Sequence, residues 1–326
     1  MPIKSILEAV RDALHEEMAR DPSIIVMGED VEEGGVFRAT EGLVKAYGND
    51  RVLDMPLAES SIVGAAIGAS LNGLRPVAEI QFADFILPAV NQIISEAAKF
   101  RYRSGGDWTC PIVIRSPYGG GVHGGLYHSQ SMEALFAHHP GLKVVAPSTP
   151  YDVKGLLISA IRDPDPVLFF EHKRTYRLLK GEVPDGEYTV PIGKAEVRRQ
   201  GEDLTLFSYG LALHQSLEAA ERVAGDGIDV EVVDLRTIYP LDRQTILESA
   251  KKTGKILIVH EDNLTGGVGG EVAALIAEHA FEYLDGPITR LGGPDIPAVP
   301  YNHILENFYM LNPEKIEAAI RRLAAY

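Results

Sequence analysis

Two stretches of this 326-residue sequence carry side chains suited to moving protons. The first holds Glu59, within RVLDMPLAESSIVGAAIGASLNGLRPVAEI. That text predicts strand, tight connection, helix, strand, which puts Glu59 at the carboxyl end of a strand, where open α/β sheets place ligands. Ser60 or Ser61 is expected to cap the helix. A carboxylate in this position has two readings: proton exchange with a ligand, or a plain interaction with the helix dipole, which residue logic alone favours. The second stretch holds His128. A strand, PIVIRS, runs into a glycine-rich loop from Pro117 to Gly125 that carries His123 and ends in YHSQS, before a predicted helix SMEALFAHH. Glycines let backbone come close to a ligand or a neighbouring chain. An imidazole just ahead of a helix suits acid, base or orienting roles near neutral pH, and a hydrogen-bonded loop histidine is the plainer alternative. His123, His128, His138 and His139 match no zinc spacing.

These residues need a scaffold, and the pattern around them predicts an α/β chain of two domains with mainly parallel sheets. Ile3, Ile6, Leu7, Val10, Leu14 and Met18 fall at helical spacing, so the chain is expected to open with an amphipathic helix. Apolar runs beginning at Ile24, Arg51, Pro76, Pro111, Lys143 and Pro166 then alternate with helical patterns, as in a parallel sheet with crossover helices. Residues 180–194, KGEVPDGEYTVPIGK, are polar with Pro and Gly and carry no sustained period, so they read as the link between domains 1–185 and 195–326. A second alternation follows, with strands from Leu204, Asp229 and Lys255 and helices near 212–224, Thr245 and after Gly270. Gly64, Ala65, Gly68 and Ala69 leave one face of the Glu59 helix nearly bare, which suggests close helix approach across a subunit boundary.

Composition narrows the function. A formal charge of -15 argues against phosphate-backbone binding, which depends on Lys and Arg. One cysteine, Cys110, allows no internal disulfide and points to a reducing compartment. With no signal-peptide pattern and no apolar run of membrane-spanning length, the cytoplasm is the expected location. Two glycine motifs invite over-reading. Gly225-Asp226-Gly227 follows a helix and precedes a strand, so it reads as a helix stop rather than a magnesium–diphosphate motif. GGVGGEV from Gly266 lacks the third glycine of a dinucleotide fingerprint and reads as a tight turn and packing surface.

The strings MPLAES, EIQFADF, KFRYRSGG, YHSQS, PGLKVVAPSTPYDVKGLL and HEDNLTGGVGGEV resemble the beta subunits of the thiamine-diphosphate-dependent decarboxylating component of 2-oxo acid dehydrogenase complexes, over nearly the whole chain. GGVHGGLYHSQS favours the branched-chain type. The resemblance implies a pyrimidine-binding domain followed by a transketolase-like C-terminal domain in an α2β2 heterotetramer. Glu59 would bond the ring nitrogen of the cofactor's aminopyrimidine and Phe85 would stack on that ring. Glu29, Leu57, Ala58, Gln81 and Tyr102 would line the same pocket. His128 would orient and protonate during acyl transfer to the lipoyl group of a partner acyltransferase. Mg²⁺ would be held mainly by the alpha subunit. The family's monovalent cation site, a K⁺ site, maps onto Ile112, Ala160, Ile161, Asp163 and Asp165, whose oxygens are hard ligands. The acids of RDPDP serve equally well as loop caps.

Two rival functions remain open at this point: a pyruvate- or acetoin-oxidising beta subunit of the same architecture, and a non-catalytic subunit that scaffolds an acyltransferase core. Glu59 with Phe85 and the YHSQS loop argue against the scaffold. The acyl chain preference is not legible, because the alpha subunit is expected to build part of that pocket.

Overall fold

Short runs of Val, Ile and Phe, apolar on both faces, dictate strands buried from both sides. In the computed structural model, which describes Met1–Tyr326, they form parallel strands in the order Lys143–Val145, Val167–His172, Val113–Tyr118, Arg75–Glu79, Ile24–Gly28, Val52–Asp54. The chain divides into two compact units. The first comprises Met1–Tyr118 and Leu135–Ile192; the second comprises Gly119–Ala134 and Gly193–Tyr326. The glycine-rich loop 119–134 thus belongs with the C-terminal unit, although the sequence around it is N-terminal.

In the first unit, helix Ile6–Arg20 packs against helix Pro150–Arg162, and both contribute to one apolar core with Ile24, Val77 and Phe169. Ile6, Leu7, Val10, Leu14 and Met18 are all buried, as their spacing predicts, and each such side chain is worth roughly 1.5–3 kcal/mol of burial. Ile3 departs from the expectation. Ser5 caps the helix, accepting from the Glu8 amide at 3.2 Å while its own amide donates to the Glu8 carboxylate at 2.7 Å. This capping box fixes the helix start at Ile6. Ile3 lies outside it, exposed, on a short strand Ile3–Ser5 paired antiparallel with Lys180–Glu182. The segment 180–194 is likewise no loose tether: Val183 and Val190 are buried in the same core. Gly155 lets it approach, since a Cβ there would stand 2.5 Å from Val190 Cγ2.

The second unit has its own sheet, ordered Thr289–Gly293, Ile256–Asn263, Leu204–Ser208, Val230–Asp234, Glu196–Arg199. Its strands run parallel except the last, an antiparallel edge. Helices Gly210–Ala224 and Pro313–Ala324 pack on each other over its core. Gly225-Asp226-Gly227 ends the first of these: Gly227, at φ 80, donates to Ala224 O at 3.0 Å, and Asp226 pairs with Arg321 at 2.6 Å. The Gly266 motif is a packing surface. His260 is fully buried, its Nδ1 3.0 Å from Asp262 O. A Cβ on Gly267 would stand 2.6 Å from the ring's Cε1, and one on Gly269 2.7 Å from its Nε2. Both architectures are α/β with mainly parallel sheets, the predicted class, and no helix is long and apolar enough to cross a membrane.

Candidate active site

Glu59 opens helix Glu59–Leu71, directly after the strand Val52–Asp54, with Ala58 as the N-cap. No side chain caps this helix, and Ser60 and Ser61 lie inside its first turn, contrary to the expected cap. The glutamate occupies the first helical position because Ala58 offers no acceptor side chain, and the orphan amides and dipole favour an anion there. Glu59 is only 9% exposed and Glu29, at the end of strand Ile24–Gly28, only 8%. Burial, then the charge of Glu59, then that of Asp30, raise the Glu29 carboxyl above the usual carboxylate range. The charge of Glu59 thus reaches the Glu29 carboxyl.

Around this pair, Gln81 Nε2 donates to Asp30 Oδ2 at 3.2 Å. Phe85 meets Phe82 edge-on at 5.6 Å, and Phe82 meets Phe37 at 5.4 Å. Lys173 Nζ lies 5.6 Å from the Phe82 ring centroid. Leu57 is 82% exposed and Tyr102 92% exposed, side chains with open apolar faces. Asp30 and Phe82 were not foreseen as site residues; their only signal was adjacency to Glu29 and Gln81.

Across three neighbouring strands, Arg115 bonds Glu79 at 2.6 Å and Glu171 through two bonds of 2.7 and 2.6 Å. Tyr176 donates to Glu171 at 2.5 Å. All four are buried, and such a network is costly to break because each removal strands a charge, about 3–5 kcal/mol. It also sets the loop after Glu29: a Cβ on Gly35, at φ +71, would stand 2.5 Å from Glu79 Oε1, so only glycine fits.

His128 belongs to the second unit. It follows a 3₁₀ turn, Gly125–Tyr127, and the helix starts only at Glu133, so the imidazole does not directly precede a helix as expected. Glu133 is fully buried and accepts from the Tyr209 hydroxyl at 2.7 Å. Burial first, then Asp262, push its carboxyl up to about 8. Asp262 is raised as well, chiefly by burial.

The oxygens of the expected K⁺ site are satisfied by protein groups. Ile112 O accepts from the Val167 amide at 3.0 Å, and Ala160 O from that of Asp163 at 3.2 Å. Ile161 O accepts from Arg75 at 2.8 Å. Lys143 Nζ donates to both carboxylate oxygens of Asp163 at 2.6 Å, and Arg101 Nε to Asp165 at 2.5 Å.

Residues 4–178 match the transketolase pyrimidine binding domain and residues 193–316 the transketolase C-terminal domain. A split-gene transketolase, described as an inactive beta4 tetramer, shares the fold with a TM-score of 0.80 at 24% identity, covering 98% of each chain. The 2-oxoisovalerate dehydrogenase subunit beta of Bacillus subtilis is 62% identical over 100% of both chains. The pyruvate dehydrogenase E1 component subunit beta of the same organism is 48% identical over 99% of each. A mitochondrial 2-oxoisovalerate dehydrogenase subunit beta 2 of Arabidopsis thaliana is 47% identical, covering 99% of this chain and 89% of its own. With both domains matched in order and the higher identity on the branched-chain side within one organism, the chain belongs to the thiamine-diphosphate-dependent 2-oxo acid dehydrogenase beta subunits, of the branched-chain type.

Proposed function

We propose that this chain, joined by an alpha subunit in an α2β2 heterotetramer, decarboxylates branched 2-oxo acids and passes the acyl group to the lipoyl group of a partner acyltransferase. The observation that carries the proposal is the buried Glu29–Glu59 pair beside the Phe82–Phe85 edge contact. These residues suit an aminopyrimidine. A buried carboxylate offers a proton acceptor, a neighbour with a raised pKa stays protonated more readily, and an aromatic ring supplies a face to stack on. When bound, thiamine diphosphate supplies the electron sink that loss of carbon dioxide from a 2-oxo acid needs.

In this reading Glu59 holds and exchanges the proton at the aminopyrimidine ring nitrogen. Glu29 lies beside it, its carboxyl raised above the usual carboxylate range by burial and by the charge of Glu59. Phe85 stacks on the ring; Leu57, Ala58, Gln81 and Tyr102 complete the wall. The exposed faces of Leu57 and Tyr102 fit a pocket closed by another chain. His128 orients and protonates the lipoyl sulfur during acyl transfer. The diphosphate and its Mg²⁺ belong mainly to the alpha subunit, since the one Gly-Asp-Gly of this chain is a helix stop. No step is assigned to K⁺: Arg75 bonds Ile161 O, and Lys143 and Arg101 pair with the carboxylates of Asp163 and Asp165.

The test is Glu59→Gln in the reconstituted heterotetramer. Proton–deuterium exchange at the thiazolium carbon is expected to fall about 100-fold or more, as for loss of a positioned acid–base group. An unchanged exchange rate overturns the role of Glu59.

A further inference from the structure

The loop that carries His128 is held by a side chain far along the chain. Glu306 is 1% exposed, yet its carboxylate is fully used: Oε1 accepts from the amides of Gly121 and His123, each at 3.1 Å, and Oε2 pairs with His123 Nδ1 at 2.5 Å. Glu261 adds a parallel bond, Oε1 to the Gly120 amide at 2.5 Å. A buried carboxylate needs such donors to offset its lost hydration, and the loop amides need acceptors for the same reason.

His123 sits at φ 58, in the left-handed region that a non-glycine residue occupies only when its surroundings over-determine it. Glu306 does so twice, binding the amide and the ring of the same residue. The next turn of the loop is equally constrained: a Cβ on Gly124 would stand 2.7 Å from His128 Cβ and 2.9 Å from Ser129 Oγ. The backbone at Gly124 thus lies directly against His128, one residue beyond the segment that Glu306 grips.

Glu306 is itself anchored. It lies on helix His303–Tyr309, whose end is closed by Lys315 Nζ, donating to Phe308 O at 2.5 Å and Met310 O at 2.6 Å. Lys315 belongs to helix Pro313–Ala324, a core element of the second unit. Lys315 thus ties the end of the Glu306 helix to that core helix, Glu306 holds His123, and Gly124, the next residue, lies against His128.

We propose that Glu306 is a positioning residue that fixes the loop 119–128 and thereby sets the placement of His128 for acyl transfer. The inference rests on the role given to His128 above. Glu306→Ala leaves two amides and an imidazole without their acceptor; Glu306→Gln keeps a carbonyl oxygen for the amides and rescues most of the geometry.

The experiment uses the reconstituted heterotetramer, with hydrogen exchange at the Gly121 and His123 amides as a readout independent of activity. In Glu306→Ala we expect both amides to exchange at least 10-fold faster. Reductive acylation of a lipoyl domain should fall about 10-fold, and decarboxylation with an artificial electron acceptor less than 2-fold. Glu306→Gln should recover to within about 3-fold in acylation. Unchanged amide exchange in Glu306→Ala overturns the clamp, and so does faster exchange with acylation intact while His128→Ala abolishes it. If His128→Ala itself leaves acylation intact, the role of His128 fails, and the exchange rates alone decide whether Glu306 holds the loop.

Discussion

Glu29, just past the strand Ile24–Gly28, is buried near Glu59, the first residue of the helix that follows the neighbouring strand, and the charge on Glu59 helps raise the Glu29 carboxyl above its usual range. The coupling is directional in its consequence. Glu59→Gln removes one of the causes, so the Glu29 midpoint should move down toward the ordinary carboxylate range while burial still holds it above. Carbon-detected titration of labelled glutamate reads this directly; a Glu29 midpoint that does not move in the variant would mean the two carboxylates do not interact.

A second raised carboxyl controls stability rather than chemistry. Glu133, fully buried and bonded to Tyr209, has its carboxyl pushed up to about 8 against an ordinary 4.5. A raised folded pKa means that the folded chain holds a proton the unfolded chain has lost. Its contribution is therefore fully present below about pH 4.5 and is lost as pH rises through about 8. Glu133→Gln, neutral at every pH, should flatten that decline and make the variant more stable than the parent above pH 8, by roughly 2 kcal/mol. Denaturant midpoints at pH 6 and pH 9 check the sign, and a parent more stable than the variant at pH 9 would contradict it.

The turn at Gly266 should be intolerant of side chains for a steric reason. Gly269 leaves no room beside the buried imidazole of His260, and burial keeps that ring neutral, with its pKa lowered to about 4. Gly269→Ala forces the ring or the strand to shift, an overpacking cost of about 1–3 kcal/mol. Thermal unfolding should show a drop of several degrees, whereas Gly68→Ala, with nothing within 4 Å of the new carbon, should leave unfolding of the isolated chain nearly unchanged. Equal effects at the two positions would count against the packing account.

Much of the scaffold was legible because its signals are local. Buried strands announce themselves as continuous Val, Ile and Phe runs, and the first helix by its period. What escaped depended on partners distant in sequence. Ile3 fits the helical spacing, but the Ser5–Glu8 capping box and the pairing with Lys180–Glu182 decide its state. The glycine-rich loop reads as N-terminal, yet its acceptors are Glu261 and Glu306, and no periodicity reports a bond spanning that interval. Glu306 carried no signal at all: in HILENFYM it looks like one polar residue on a short helix. Glu59 and His128, by contrast, stand out by type and neighbourhood, and their proposed roles come from resemblance.

Of the oxygens expected to hold K⁺, the Asp163 and Asp165 carboxylates and Ile161 O are bonded by protein cations, while Ile112 O and Ala160 O accept backbone amides, so the ion response should depend on Lys143. In the parent, replacing K⁺ by tetramethylammonium at constant ionic strength should leave the unfolding temperature unchanged. Lys143→Ala frees both Asp163 oxygens. It should lose about 1 kcal/mol, a typical scale for a partly exposed pair, and regain part of it in K⁺. A parent that needs K⁺ while Lys143→Ala does not respond would restore the ion to the native site.

The isolated chain should neither bind thiamine diphosphate tightly nor decarboxylate any 2-oxo acid. Its pocket presents Glu29, Glu59 and Asp30, and carboxylates repel a diphosphate unless a metal ion and its oxygen ligands intervene. Its Gly-Asp-Gly segment ends a helix, with Asp226 engaged by Arg321 rather than turned to a ligand. The Glu59 helix meanwhile shows an exposed, side-chain-poor face at Ala65 and Gly68, the form of surface on which a second helix seats closely. An alpha chain docked there would bring the diphosphate half of the site to the aminopyrimidine half. Titration calorimetry with Mg²⁺ present should give no saturable heat for the beta chain and stoichiometric binding once the alpha subunit is added. Replacing Gly68 by Leu should abolish assembly and cofactor binding together while leaving the folded beta chain intact. Stoichiometric micromolar binding by the beta chain alone would move the diphosphate site into this chain and refute the division of labour proposed above.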